Sequence, residues 1–384
     1  MLKPVEDSTQ VTRRRRHLQR LWSDVAANTP SLGCGRCPER SLCGGLHVRA
    51  AAFDCLSQAC CNSPDACDRV CRRKATNFAE RFREVSGFAF DDVPRARRLQ
   101  ADHLPLAVPV LYNASRREQP FSASAVCLPL YKVIGRRGPT VAYPDRRALE
   151  AGFLFAEGVP VILTGTDTDP PLERWWSLGS DGRRAAIRSL RDLGVSMVTS
   201  PNFSLFSDQP RWDDLHSMKR IALAHNEFLA EGMPAALHVN ARTDRDYERW
   251  SEFLAGRPEI THLAFEFGTG AGAAGRIHWH ASKLTLLAAN VNRPLHLVVR
   301  GGIGVLPLLA SRFARLTILD TSTVMKTAKR QRATMKTDGT LVWNAWPTLP
   351  GAPLDDLLAE NWCVVSDSYS FLASQRTPRM AATG

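Results

Sequence analysis

Eight apolar runs of strand length recur between residues 106 and 320, with amphipathic segments between most of them. The runs are Leu106–Tyr112, Val126–Ile134, Val161–Thr166, Ser196–Ser200, Ala235–Val239, His262–Phe267, Leu295–Arg300 and Leu316–Leu319. Between them, Arg183–Leu193 places Ala186, Ile187, Leu190 and Leu193 at helical spacing, and Leu215–Glu231, Asp246–Leu254, His280–Val291 and Val305–Phe313 behave alike. Near-continuous apolar strands alternating with helices imply a parallel sheet covered on both faces. Eight such units predict an α/β fold of the (β/α)8, TIM-like barrel type. The second run carries Pro129, a poor fit to a central strand. A doubly wound open sheet is the structural alternative.

Cysteine supplies the second constraint. Eight of the ten cysteines fall between Cys34 and Cys71, in the order Cys34-x2-Cys37-x5-Cys43, then Cys55, Cys60, Cys61, Cys67 and Cys71. No export signal or apolar h-region is evident, so disulfides are not expected and clustered thiolates read as metal ligands. Soft thiolates select iron–sulfur clusters or zinc. The C-x2-C-x5-C spacing is similar to cluster loops of DNA-processing enzymes, and only one C-x2-C knuckle is present, which favours a [4Fe–4S] cluster over zinc. Cys34, Cys37 and Cys43 are the expected ligands, with a fourth among Cys55, Cys60 and Cys61. The remaining cysteines either complete a second site or pack as buried thiols.

The organisation that follows is a basic segment over residues 1–30, with a helix expected around Arg16–Ala26, and a cysteine-rich module over 31–75. A helical connector spans 76–105, with its helix at Asn77–Val85, and the barrel with a C-terminal extension covers 106–384. No apolar run approaches the length of a bilayer span. A soluble, cytoplasmic protein is expected. Lysine and arginine number 50 against 38 acidic residues. That excess favours a polyanionic partner, because cations that neutralise phosphates release counterions. Nucleic acid, DNA or RNA, is the expected partner.

Active-site groups of such barrels project from the C-terminal ends of the strands. Those ends offer Asn113, Lys132, Asp167, Asn202, Asp208, His238, Asn240, Glu266, Arg300 and Asp320. Asp167, Glu266 and Asp320 are the candidate catalytic carboxylates, since burial raises the pKa of an unpaired carboxyl into the range of acid, base or nucleophile work. Each is equally able to cap the helix that follows. Arg300, Gly301 and Gly302 stand where barrels often bind phosphate. His278 and His280 would share a face on a strand and diverge at a helix start.

After the eighth run the chain reads Asp320-Thr-Ser-Thr-Val-Met-Lys326-Thr-Ala-Lys329-Arg330-Gln-Arg332. This stretch resembles the segment after the last strand of the tRNA-guanine transglycosylases, barrels with a nucleophilic aspartate in a D-C-V-x-P-T-R-x-A-R motif. The resemblance implies Asp320 as nucleophile and Asp167 as a second acid, with Lys326, Lys329 and Arg330 supplying positive charge. That family places its zinc motif after the barrel, whereas the cysteines here precede it, and its glycine-rich substrate signatures are not recognisable. The layout of Cys43-Gly-Gly45, Ser200-Pro-Asn-Phe-Ser204, His278-Trp-His280 and Arg300-Gly-Gly302 is also similar to a group of bacterial proteins of unknown function, which brings no activity with it.

Three functions are therefore expected in order. The first is a nucleic-acid-modifying enzyme of transglycosylase or glycosidic-bond type, with Trp175, Trp176 and Trp279 as candidate stacking residues. The second is a non-catalytic nucleic-acid-binding or regulatory iron–sulfur protein. The third is an enzyme acting on a small phosphorylated substrate.

Overall fold

The computed structural model describes residues 20–21, 29–30, 37, 39–48 and 78–375, apart from 115, 136–137, 206–210, 269–270, 272–275 and 350. Three short strands precede the barrel: β1 (Arg20–Leu21), β2 (Thr29–Pro30) and β3 (Leu46–Val48), which pair antiparallel. Where a helix is expected around Arg16–Ala26, Arg20 and Leu21 are instead extended and pair with His47 and Leu46. The rest of that expectation lies outside the described residues. The one-turn helix α1 (Arg40–Cys43) ends on Gly44, whose φ of 78° is left-handed.

The eight expected strands all form, and all are parallel. They are β4 (Ala107–Pro109), β5 (Val126–Pro129), β6 (Val161–Thr164), β7 (Val195–Thr199), β8 (Ala235–His238), β9 (His262–Glu266), β10 (His296–Arg300) and β11 (Arg315–Asp320). Their order in the sheet is β4-β11-β10-β9-β8-β7-β6-β5. The two outer strands then meet through a parallel bridge from Val110 to Cys127, where the amide of Leu111 donates to the carbonyl of Cys127 at 2.8 Å. That seam makes a nearly closed barrel and removes the open-sheet alternative. Pro129 is accommodated because it ends β5 and begins a single helical turn, α3 (Leu130–Val133), where its missing amide is not needed.

The barrel interior is a small apolar cluster that includes Val108, Val110, Cys127, Ile162, Met197, Ala236, Ala264, Val298 and Leu319. The larger apolar cluster lies between the strands and the outer helices. Those helices are α4 (Arg146–Phe153), α5 (Asp169–Ser177), α6 (Gly179–Asp192), α7 (Arg211–Ala230), α8 (Asp244–Ala255), α9 (Ile277–Val291), α10 (Leu306–Ala310) and α11 (Ser322–Ala328). A hairpin, β12 (Gln331–Met335) and β13 (Leu341–Ala345), and a long helix, α12 (Asp355–Ser374), follow the barrel among the described residues. No helix among the described residues is long and apolar enough to cross a membrane.

Helix α7 departs from the expected amphipathic pattern, being buried on nearly every side. The connector, with helix α2 (Phe78–Glu84) and the chain through Pro94, lies across it and across α8. Polar side chains of α7 that a solvated helix would leave in water instead bond to this strap. His216 meets Glu84 at 2.7 Å, Lys219 bonds to Asp92 and the Ala89 carbonyl, and Asn226 reaches the Pro94 carbonyl at 2.8 Å. From α8, Arg249 donates to the Phe88 carbonyl at 2.7 Å and lies over the Phe90 ring. Arg183 of α6 grips Glu227 with two bonds of 2.7 Å. Arg211, 1% exposed, joins Asp214 of its own helix to Asp246, which also closes the capping box of α8 with Thr243.

Removing one member of such a buried set strands the others. Arg211→Leu is expected to cost about 3–5 kcal/mol, because Asp214 and Asp246 lose their buried counter-charge. Urea unfolding of the full chain measures this; a loss under about 1 kcal/mol would mean the triad is relaxed by water.

Candidate active site at the mouth of the barrel

Side chains on a strand alternate between faces. With Val110, Ile162, Met197, Ala236, Ala264 and Val298 on the axis, the next inward positions toward the C-terminal mouth are Tyr112, Thr164, Thr199, His238, Glu266 and Arg300. Strand pairing sets Arg300 directly beside Glu266. Nε of Arg300 lies 2.6 Å from Oε2 of Glu266, whose Oε1 accepts the Gly268 amide at 2.5 Å. The Glu266 side chain is 2% exposed and that of Arg300 is 23% exposed, so the guanidinium is the member that faces the opening. Burial pushes the Glu266 carboxyl up to about 6, against the opposing pull of Arg300 and the Gly268 amide.

His238, on β8 next to the strand that carries Glu266, belongs to the same inner layer. Its Nδ1 faces the Ser200 carbonyl, which assigns the proton to Nδ1 and leaves Nε2 an acceptor, 3.4 Å from the Thr166 hydroxyl. Burial, aided by the charge of Arg300, lowers its pKa to about 4, so the ring is neutral at physiological pH. Burial raises the phenol of Tyr112, and the same residue's carbonyl accepts Lys132 Nζ at 2.8 Å. Cys127, deep in the barrel, has its thiol pushed up to about 12 by burial and is inert.

The other two candidate carboxylates are elsewhere. Leu319 points to the axis, so Asp320 points outward, between β11 and α12. There Oδ1 accepts the Ser322 amide at 3.1 Å, the Ser322 hydroxyl at 2.5 Å and the Tyr369 hydroxyl at 2.8 Å, while Oδ2 accepts the Thr323 amide at 2.8 Å. These bonds hold the first turn of α11 and tie α12 to the barrel wall. Asp167 is exposed on the rim and accepts from the Thr168 amide at 2.7 Å. The three carboxylates do not share one cavity.

Gly301 and Gly302 have φ of 77° and 75°, and a Cβ on Gly302 would meet the Phe267 ring at 2.5 Å. Their turn is thus set by the neighbouring loop, with or without a phosphate. Lys326 lies over Trp343 and Arg330 accepts the Trp346 amide at 2.7 Å, so both belong to the hairpin side of the barrel. Among the other strand-end groups, Asn240 donates to Asn202 at 3.0 Å, Asn113 and Lys132 are exposed, and Asp208 lies outside the described residues. Of the tryptophans, Trp175 and Trp176 are core residues, and Trp279 packs against Tyr247 and His280. His278 and His280 diverge on α9, the first exposed and the second buried against Tyr247.

Of the eight expected metal ligands, Cys37 and Cys43 are described; Cys34, Cys55, Cys60, Cys61, Cys67 and Cys71 lie outside the described residues. Cys37 and Cys43 bracket the turn of α1, and Cys43 is buried. The Gly45 amide donates to the Cys43 sulfur at 3.1 Å. Such an N–H···S bond stabilises a thiolate, so the turn suits a metal-bound cysteine. Among the described residues no group of three or more such ligands comes together.

Compared with known families and with curated proteins, the chain matches no family model and no curated protein.

A buried carboxyl with a raised pKa makes stability depend on pH. Glu266 binds its proton more tightly folded than unfolded, so its contribution is fully present below pH 4.5 and is lost as pH rises through about 6. Glu266→Gln removes this cost. Its stability relative to the unmodified chain is expected to improve by about 2 kcal/mol between pH 4 and pH 8. Parallel urea titrations at the two pH values read the difference; an unchanged gap would mean that Glu266 titrates normally.

Proposed function

We propose that the chain is a barrel enzyme acting on nucleic acid, with Glu266 as its general acid and Arg300 as the group that meets substrate negative charge. One observation carries the reading: a nearly inaccessible carboxyl, with a pKa near 6, lies on the inner face of the mouth beside a partly exposed arginine. A carboxyl in that range holds a proton to donate near neutral pH. In cleavage of a glycosidic bond the base leaves with the bonding electron pair, and Glu266 would protonate it. Water attacks the sugar carbon, and its proton passes to solvent, with Nε2 of neutral His238 as the acceptor that orients it. The base would have to be turned out of any stack to reach this layer. In this reading Asp320 is a structural anion, since its hydrogen bonds are spent on α11 and Tyr369.

We propose in addition that Cys34, Cys37 and Cys43, with one of Cys55, Cys60 and Cys61, hold a [4Fe–4S] cluster. The support is the spacing and the amide bond to Cys43. A four-thiolate site of this kind would organise a module that has few large apolar residues of its own.

The chemistry is tested by incubating the full chain with mixed RNA and single-stranded DNA and measuring released bases and altered nucleosides by mass spectrometry. Glu266→Gln is expected to lower turnover by about 10²–10⁴-fold. Asp320→Asn is expected to lower stability by about 1–3 kcal/mol while the folded fraction still turns over. A Glu266→Gln variant as active as the unmodified chain overturns the assignment; loss of all activity in well-folded Asp320→Asn returns the reaction to Asp320. For the cofactor, anaerobically purified protein is expected to contain iron and acid-labile sulfide and to lose both in Cys37→Ala. Stoichiometric zinc without sulfide would make the site a structural zinc centre.

A further inference from the structure

Exposed apolar surface is not spread evenly. Six large apolar side chains are notably exposed among the described residues, and four of them, Met325, Met335, Trp346 and Leu349, lie between positions 325 and 349. The same stretch is strongly basic. From Thr321 to Leu354 it holds Lys326, Lys329, Arg330, Arg332 and Lys336 against the single acid Asp338. The mouth chemistry uses none of these residues.

The hairpin β12–β13 orders the part of this stretch from Arg332 to Asn344. One face packs inward: Ala333 is buried, Leu341 and Trp343 rest on the main core, and the turn residue Gly339 sits against Phe371 of α12. Asn361 of α12 locks this face by accepting the Ala333 amide at 2.7 Å. The register pairs Arg332 with Asn344 and Thr334 with Val342. By alternation the opposite face carries Arg332, Thr334, Lys336, Thr340, Val342 and Asn344. It is a ribbon of hydrogen-bond donors and cations, and α12 holds it rigid from behind. At its end the Arg332 guanidinium lies 4.4 Å from the centre of the Trp346 ring, which is 44% exposed.

We infer that the outer face of this hairpin is a docking surface for single-stranded nucleic acid. Its cations meet the phosphates, the exposed Trp346 ring offers a stacking platform, and the Thr and Asn side chains bond to backbone or base edges. The inference rests on the reading that the substrate is nucleic acid, and adds where it is gripped. Arg332 also pairs with Glu360 at 3.0 Å, but that pair is exposed and weak, and a phosphate can replace it. An anionic membrane would also attract the cations. The ribbon face favours nucleic acid, because it is lined by donors where a membrane-inserting face needs a continuous apolar wedge.

The test is fluorescence anisotropy of the full chain with a labelled single strand of roughly 20 nucleotides, as DNA and as RNA, over a range of salt. The unmodified chain is expected to bind, with affinity falling by a slope of about −0.7 per phosphate neutralised. Arg332→Gln with Lys336→Gln should weaken binding at least about tenfold and make the slope shallower by about one to two phosphates. Trp346→Ala should weaken binding while leaving the slope unchanged. Arg184→Gln with Arg188→Gln removes the same charge from exposed positions on α6, and should change affinity less than about threefold. Thermal unfolding shows whether each variant is folded. Equal losses from the α6 and hairpin variants would reduce the effect to net charge and overturn the inference. So would binding to anionic lipid vesicles but not to oligonucleotides, or to neither. The readout is affinity, so a Glu266→Gln variant with undiminished turnover would sink the mouth assignment and leave the hairpin result standing.

Discussion

A strand in a closed parallel barrel has one face on the axis and the other against the helices, and consecutive residues take opposite faces. Everything at this barrel's mouth follows from that constraint. Ala264 and Val298 on the axis carry Glu266 and Arg300 to the axis two residues later, side by side on neighbouring strands. Leu319 on the axis sends Asp320 the other way. Two carboxylates at the ends of similar apolar runs, on β9 and β11, thus acquire different surroundings. The register of a single strand decides which of them can meet a substrate.

The surroundings then decide what each carboxylate can do. Asp320 receives four donors, two of them amides at the start of α11 and one the hydroxyl of Tyr369, and so works as a joint between the wall, α11 and α12. Glu266 receives one amide, and Arg300 on its other side leaves part of its guanidinium toward the opening. Desolvation outweighs those two partners, and the carboxyl holds its proton to about pH 6. A site built in this way stores instability in the folded state, and a functional group is the usual reason for keeping it. His238 contributes an acceptor without a charge, because the Ser200 carbonyl fixes its tautomer and burial keeps it neutral.

The eight strands were legible in the sequence because a strand buried on both faces must be apolar throughout, and that leaves an unmistakable run. Pro129 was legible as a misfit, and its position at the end of β5 explains how it is tolerated. The strap over α7 was not legible. His216, Lys219, Asn226 and Glu227 look like a solvated face, and only the fold shows that the connector covers them and pairs with three of the four. The site was half legible. The ends of the strands could be read, but their facing could not, so Asp320 and Glu266 looked alike. Counting by twos from Val108 and Val110 would have found Tyr112 and, applied to each strand, would have separated inward from outward residues. Of the three candidate carboxylates, the Asp320 motif drew attention to the one held by four donors of its own structure.

The basic excess has a related resolution. Many arginines here are structural: Arg183, Arg211, Arg220, Arg249 and Arg257 are buried and bonded to neighbouring helices or to the strap. This does not use up the excess, because the carboxylates buried among the described residues, such as Asp214, Glu227, Asp246, Glu259, Glu266 and Asp320, are at least as numerous as the buried cations. The surplus positive charge therefore stays on the surface. Charge spread evenly there would give only diffuse attraction, falling off within a Debye length. Between Thr321 and Leu354 it is instead nearly undiluted by acid, mounted on a hairpin, and combined with exposed tryptophan. An element that began as the resemblance to a catalytic motif, from Asp320 to Arg332, thus divides in two at the end of the barrel. Its aspartate closes the fold, and its last cation, Arg332, faces outward on the hairpin.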